Sequence, residues 1–401
     1  MQAGEVVTIR IDDVAFGGSG VGRVQGMVVF TPLTVMHDEV AVEITSIRKK
    51  FALAEVRQIL QPSPWRVTPP CRYFGRCGGC QLQHIDYDQQ LAIKEKQVKE
   101  LFTRLGNFPL PPVLKIIPSP GQYHYRGKAD YHVRMSKDGR LLRLGFMQAE
   151  SDWVLDIEGC EIVAGSINQS CQAFRVALAA GDRQYRRDRQ TIWSSLEEGK
   201  IIAVPDDEAA APLIHRIVRD RRLAVPYAGF FQINTTLLDV LVDQVVRLAD
   251  LQGTETVIDA YCGVGLFSLF LASAAAGITG VEISDAAIHC ARENLLTGGF
   301  AHALFLRGDV GEVMKRQFAK KSRQADVVIL DPPRSGCDRS VLDAVRKIAA
   351  KKIIYISCNP ATQARDVRYL VEAGFSLECL QPLDMFPQTG HIEVIALLTA
   401  K

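Results

Sequence analysis

Along the first sixty residues, apolar and polar positions alternate in short runs rich in β-branched and aromatic side chains. Val6-Val7-Thr8-Ile9-Arg10-Ile11, Met27-Val28-Val29-Phe30 and Glu39–Ile47 read as strands. Between the first two lies Gly17-Gly18-Ser19-Gly20-Val21-Gly22-Arg23, a glycine density suited to a tight hairpin with positive backbone angles. No helical pattern follows it, so it is not a phosphate loop. A small five-stranded barrel fits, and such barrels often bind oligonucleotides; a structural β-domain is the plainer alternative. Residues 61–80 are rich in Pro, Gly and Cys and form a linker running into a cysteine loop. A helical period then takes over. Leu91, Val98, Leu101, Phe102 and Leu105 fall on one face, Asp86 or Asp88 can cap the start, Glu95 can pair with Lys99, and Gly106 is placed to end it. Residues 115–225 mix short strands and helices.

From about residue 226 the texture changes to strands alternating with helices. Thr256–Asp259, Gly277–Ile283, Ala325–Asp331 and Lys352–Ser357 are strand candidates. This is the βα alternation of a doubly wound parallel sheet. The expected division is a β-barrel over 1–60, a central α+β domain over 61–225 and an α/β domain over 226–401.

Composition narrows the picture. A chain of 401 residues is expected to form two to four domains at roughly 100–200 residues each. Hydrophobic content of 47% and charged content of 23% exclude a disordered, collagen-like or coiled-coil chain. Lys and Arg number 47 against 45 for Asp and Glu, so any nucleic-acid surface must be local. One candidate runs from Lys115 to Arg143, where seven basic residues face two acidic ones, interleaved with Tyr123, Tyr125 and Tyr131. Basic charge neutralises phosphates and aromatic faces stack bases, although a solvated β-face explains the same pattern. The start, MQAGEVVTIRIDD, lacks the pattern of a secretory signal. Leu266–Val281, the most apolar stretch, is too interrupted to span a membrane. A cytosolic protein is expected, without membrane contact or an evident obligate protein partner. In that compartment ten cysteines are thiols or metal ligands rather than disulfides.

The candidate chemistry gathers at strand ends. Val257-Ile258-Asp259-Ala260-Tyr261-Cys262-Gly263-Val264-Gly265-Leu266-Phe267 carries an apolar strand through Asp into a G-x-G turn and a helix. The glycines let a ligand approach the backbone at the carboxyl end of the sheet. The next strand ends in Glu282, placed to accept both hydroxyls of a ribose, and Asp309 follows the strand after that, suited to an adenine edge. With no third glycine for a pyrophosphate, S-adenosylmethionine fits better than a dinucleotide. A later strand delivers Asp331-Pro332-Pro333-Arg334, whose prolines stiffen the loop. Another ends Tyr355-Ile356-Ser357-Cys358-Asn359-Pro360, which sets Cys358 among the cofactor-facing ends.

Taken in order, the Gly-rich β-module, Cys71-x5-Cys77-x2-Cys80, Phe230-Phe231-Gln232-Ile233-Asn234, the Asp259–Gly265 turn, Asp331-Pro332-Pro333-Arg334, Ser357-Cys358-Asn359-Pro360 and His391-Ile392-Glu393 resemble the S-adenosylmethionine-dependent uracil-5 RNA methyltransferases. The resemblance covers essentially the whole chain and is nearest to the branch acting on 23S ribosomal RNA, which carries a TRAM module and an iron–sulfur cluster. It implies a TRAM or OB-like barrel, a central iron–sulfur domain and a C-terminal Rossmann-like methyltransferase domain. It implies that Cys71, Cys77, Cys80 and a distant fourth cysteine hold a [4Fe-4S] cluster. Cys160 matches the fourth best and Cys171 is the runner-up; by spacing alone, zinc is equally compatible. Gln232, Tyr261, Gly263, Gly265, Leu266, Glu282, Asp309 and Asp331 would line the site for the cofactor and the target base. Cys358 would be the nucleophile and Glu393 the base.

Two departures stand out. The family usually has Asn, Ser or Thr where this chain has Leu266, which removes a polar contact to the cofactor. Gly127 replaces an expected Asn. Three other readings stay open: a tRNA target, an amine-directed methyltransferase using Asp331-Pro332-Pro333, and a non-catalytic RNA-binding protein.

Overall fold

The protein is described by a computed structural model covering residues 1–180, 188–194, 213–300, 303–318, 325–348 and 350–401. The N-terminal module is a six-stranded sheet in the order Val6–Arg10, Glu39–Ile47, Phe51–Gln61, Met27–Thr31, Gly20–Val24, Asp13–Val14. Ile9, Ile11, Val29, Val40, Val42, Ile44, Ala52 and Ala54 fill its interior. The strand beyond the expected five is the two-residue pairing of Asp13–Val14 with Gly20 and Val21, too short to leave a periodic signal. Gly17 and Gly18 turn the intervening hairpin with φ of +98° and +97°.

The expected helix forms over Tyr87–Arg104, and Asp86 caps it by accepting from the backbone N–H groups of Asp88 and Gln89. Its buried face differs from the expected one. Gln90, Ile93, Lys94, Gln97, Val98 and Phe102 are buried, while Leu105 is exposed. Three polar side chains face inward because each meets a partner from elsewhere in the chain. Glu95 accepts from the Ile116 N–H rather than serving as the expected partner of Lys99. Val98 and Phe102 join the apolar cluster that contains Ala364 and Val367 of the C-terminal sheet's helices.

The central part is a four-stranded antiparallel sheet ordered Arg189–Trp193, Lys128–Met135, Leu141–Met147, Val154–Asp156. Helix Gly165–Ala180 covers one face through Ile167, Cys171, Phe174 and Leu178. A separate hairpin, Ile214–Val218 with Arg221–Val225, lies against helix Asp285–Thr297. There Asn294 both accepts from and donates to the Ala224 backbone.

The C-terminal sheet has seven strands in the order Ala303–Arg307, Gly277–Glu282, Thr256–Ala260, Val327–Leu330, Lys352–Ser357, Glu393–Ala400, Phe375–Leu383. The first five are parallel, and Glu393–Ala400 runs antiparallel between its neighbours. Continuous apolar runs such as Val327–Leu330, buried at every position, are what a sheet covered on both faces requires. The register places Ala260, Glu282, Arg307, Leu330 and Ser357 along one edge. The pairing of Ser357 with Val394 brings the start of the antiparallel strand to that same edge. No helix among the described residues is long and apolar enough to cross a membrane.

Candidate active site at the carboxyl edge of the sheet

Ligands of open α/β sheets bind beyond the carboxyl ends of the strands, and the candidate residues collect there. Asp259 ends its strand fully buried and accepts from the Ser268 hydroxyl at 2.6 Å and the Ser268 N–H at 3.1 Å. Its other oxygen has no hydrogen-bond partner. Tyr261, Gly263 and Gly265 follow with φ of +65°, +53° and +79°. A side chain on Gly263 would meet nothing within 4 Å, so open space lies over that position. Gly265 instead presses on Ala291 and Leu295. Glu282 is held from two sides, accepting from the Gly263 N–H at 3.2 Å and the Ser284 N–H at 2.8 Å. Asp309 caps helix Val310–Gln317 through the Glu312 N–H. Leu266 is buried in the apolar cluster with Phe267 and Ala291. Its side chain therefore belongs to the core, and the backbone is the part left to face a ligand.

The second half of the edge is more strongly charged. Burial, with some repulsion from Asp259, raises the Asp331 carboxyl to about 7, and burial raises Asp259 to about 6. Glu393, the first residue of its strand and 2% exposed, is raised well above the ordinary carboxyl range by burial and by Asp331, against the pull of Arg334. Cys358 is half-buried one residue beyond the parallel strand. Burial and the charges of Glu393 and Asp331 push its thiol up to about 11, while Arg334 acts in the opposite direction. Helix Pro360–Glu372 starts directly after it, capped by Asn359. Arg334 Nη2 lies 3.2 Å from His391 Nε2. Burial and neighbouring cations lower His391 to about 4, so its ring is neutral at ordinary pH. Arg334 and His391 were visible in the sequence within larger motifs, but nothing in their spacing assigned them a place beside the nucleophile.

The four cysteines expected to act together do come together. Cys71, Cys77, Cys80 and Cys160 line one cavity of about 290 Å³, with Phe74, Arg126 and Met147 in its walls. Gly78 N–H to the Met147 carbonyl, at 3.0 Å, ties the cysteine loop to the central sheet. Asn168 accepts from the Cys160 N–H and donates to the Cys160 carbonyl. Burial pushes the Cys80 and Cys160 thiols up to about 12 and about 11. Cys171, the runner-up, sits instead in the central apolar core. Among the described residues no group of three or more His, Cys, Asp or Glu is disposed to hold a single metal ion.

The stretch Lys115–Arg143 only partly matches an aromatic stacking surface. Tyr125 and Tyr131 are fully buried, Tyr125 donating to the Pro387 carbonyl and Tyr131 stacking on Phe146. The exposed aromatic on this sheet is Trp153, with the Arg143 guanidinium 3.6 Å above its ring. Beside the cofactor edge, Phe230 is 73% exposed while its neighbours Phe231 and Gln232 are buried. Gly127 has a packing reason. A side chain there would come within 2.7 Å of the Arg216 guanidinium, which bonds the Gly127 carbonyl.

Comparison with known proteins agrees with this geometry. The family model described as tRNA (Uracil-5-)-methyltransferase matches residues 216–401, and a TRAM domain model matches residues 2–56. An uncharacterized RNA methyltransferase of Halalkalibacterium halodurans is 33% identical over 99% of this chain and 97% of its own length. One from Listeria innocua is 33% identical over 100% and 99%. Among solved structures, the Pyrococcus abyssi tRNA (uracil-54, C5)-methyltransferase in complex with S-adenosyl-L-homocysteine superimposes with a TM-score of 0.74 at 24% identity, covering 98% of this chain and 100% of that one.

Proposed function

The chain belongs to the RNA (uracil-5-)-methyltransferases, and from that premise we propose that it methylates carbon 5 of a uridine through a covalent bond to Cys358. The observation that carries this reading is the electrostatic meeting of Cys358, Glu393, Asp331 and Arg334 at one sheet edge. S-adenosylmethionine, when bound, supplies an electrophilic methyl group. Gln232, Tyr261, Gly263, Gly265, Glu282, Asp309 and Asp331 would hold it and the target base, with Leu266 contributing backbone. The open space over Gly263, the fixed Glu282 carboxylate and the unpartnered oxygen of Asp259 suit a polar, cationic ligand.

Carbon 5 of uracil is too electron-poor to take an alkyl group unaided. The Cys358 thiolate adds to carbon 6, and the electron pair of the ring double bond moves towards the pyrimidine oxygen, which makes carbon 5 nucleophilic. Asp331, at about 7, is present at neutral pH in both forms. As the acid it donates to that oxygen and stabilises the charge; as the carboxylate it accepts from the ring N–H. Once carbon 5 carries the methyl, Glu393 takes the proton left there. The electron pair returns to the ring and the carbon–sulfur bond breaks. The exposed ring of Phe230 offers a stacking face for an unstacked base.

We assign a [4Fe-4S] cluster to Cys71, Cys77, Cys80 and Cys160. Four thiols on one cavity match the usual donor set of such a cluster. A single tetrahedral ion would need all four sulfurs about 2.3 Å from one point. The cluster has no part in the methyl transfer; it would tie the loop to the central domain. The target assigned is 23S ribosomal RNA, on the joint presence of the TRAM module and the four cysteines. A tRNA target is the second reading, favoured by the fold shared along the whole chain with a tRNA enzyme.

The test has two arms. Mapping 5-methyluridine in cells with and without the protein should show loss from 23S rRNA; loss from tRNA alone gives the second reading. Wild type should form a stable adduct with RNA containing 5-fluorouridine, and Cys358→Ala should not. Normal turnover by Cys358→Ala would exclude the covalent route and favour amine methylation. Absence of cofactor binding by calorimetry would favour a non-catalytic protein.

A further inference from the structure

Buried polar groups from outside the C-terminal sheet converge on one irregular segment, Asp384–Gly390, which leads directly into His391 and Glu393. Four consecutive carbonyls are each claimed by a distant donor. Asn234 Nδ2 reaches Met385 at 3.1 Å, Lys94 Nζ reaches Phe386 at 3.0 Å and the Tyr125 hydroxyl reaches Pro387 at 3.0 Å. Gln388 receives the backbone N–H groups of Gln81 at 3.1 Å and Leu82 at 3.0 Å. The amides are claimed too: Gln388 N–H donates to Gln90 Oε1 at 3.2 Å and Gly390 N–H to Gln81 Oε1 at 3.1 Å. Lys94 also pairs with Asp384 at 2.5 Å, with both side chains fully buried. On the other side, the barrel hairpin closes the space. A side chain on Gly390 would come within 2.9 Å of the Gly17 backbone.

Such density exceeds what closing a loop requires. Gln388 has φ of +69°, a conformation that a non-glycine residue keeps only where its surroundings dictate it. Ordinary loops run over the surface and satisfy their backbone with water; this one is satisfied by side chains from the helix Tyr87–Arg104, the cysteine loop and the central domain. We infer that Gln81, Gln90, Lys94 and Tyr125 are positioning residues that hold Asp384–Gly390 and thereby aim Glu393 at the carbon 5 proton. The inference rests on the reading of Glu393 as the base. Gln81 directly follows Cys80, so the cysteine loop is joined to the proton-removal step without touching substrate.

Two conservative pairs test it in the full-length enzyme. Tyr125→Phe removes one hydroxyl and keeps the ring. Gln81→Ala removes the acceptor for Gly390, and Gln81→Glu restores one. Tyr125→Phe and Gln81→Ala should each slow release of methylated RNA about three- to tenfold, the worth of one hydrogen bond. Single-turnover methyl transfer and KM for RNA should stay within about twofold of wild type by the same reasoning. Methylated covalent adduct should rise on denaturing gels, and Gln81→Glu should return to near wild type. Equal loss at both chemical steps, or unchanged release, would overturn the inference. Glu393→Gln is the control for the underlying reading. If that variant turns over normally, Glu393 is not the base, and hydrogen–deuterium exchange over residues 386–393 decides the positioning claim alone. Protection about three- to tenfold lower in Tyr125→Phe supports it; unchanged protection refutes it.

Discussion

The Cys358 thiol should be almost wholly protonated in the free enzyme, and its reactivity should depend on Arg334. Burial and the nearby carboxylates place it at about 11 against an ordinary 9.0. At pH 8 that difference lowers the thiolate fraction about a hundredfold. The more basic thiolate is also the better nucleophile, by about tenfold for a Brønsted slope near 0.5. Alkylation of Cys358 by iodoacetamide should therefore run about tenfold slower than that of a free thiol. It should rise about tenfold per pH unit from 7.5 to 10, with no plateau in that range. Arg334 lowers this pKa by its charge and a hydrogen bond. It is exposed, so about one pKa unit is the appropriate scale. Arg334→Ala should raise the thiol by that much and slow alkylation about threefold further, once the gain in nucleophilicity is counted. Glu393→Gln removes a repulsion and should act in the opposite direction, speeding alkylation while blocking turnover. Peptide mapping by mass spectrometry isolates Cys358 from the other cysteines. A plateau by pH 9, or faster alkylation in Arg334→Ala, would refute the reasoning.

Glu393→Gln should add Cys358, accept the methyl and then stall with RNA attached, with turnover down by roughly two to four powers of ten; denaturing gels show the band. S-adenosylmethionine should bind more tightly as pH rises through about 7, because Asp331 protonation removes negative charge below that value; calorimetry in buffers of different ionisation enthalpy should register proton release. Gly280→Ala forces a methyl to within 2.4 Å of the Phe305 ring and 2.9 Å of Cys262 Sγ. It should lose about 1–3 kcal/mol by overpacking, read as a lower denaturation midpoint. Anaerobically purified protein should contain iron and sulfide, and Cys160→Ser should lose them; stoichiometric zinc would overturn the assignment.

The α/β alternation was legible because strands buried on both faces leave unbroken apolar runs, and the carboxyl-edge residues followed from it. The helix Tyr87–Arg104 was legible in extent but not in orientation. Gln90, Lys94 and Gln97 read as solvent-facing until Gln388, Asp384 and the Val14 carbonyl are brought to them. Tyr125 and Tyr131 looked like stacking surface for the converse reason: local sequence shows an aromatic beside basic residues, but not the core that covers it. Cys160 could be named only by resemblance, since its approach to Cys71, Cys77 and Cys80 is set by folding over a long sequence separation. Gly127 and Leu266 looked like losses from a site. Both are packing choices: one leaves room for Arg216, and the other fills the core beneath the cofactor turn.

The charges at the sheet edge also constrain the order of events. Ionised Glu393 opposes formation of the Cys358 thiolate, yet the proposed route needs both anions. It does not need them together. When sulfur bonds to carbon 6, its charge passes to the pyrimidine oxygen and the repulsion at sulfur ends. Glu393 is then free to ionise, and its raised pKa makes it a stronger acceptor for the carbon 5 proton than an exposed carboxylate would be. It follows that the thiol proton of Cys358 cannot be stored on Glu393, because a carboxyl already protonated cannot complete the second step. That proton must leave the site before the methyl moves. Arg334 stabilises both anions in turn and lies on the exposed side of the site, where solvent can take the proton away.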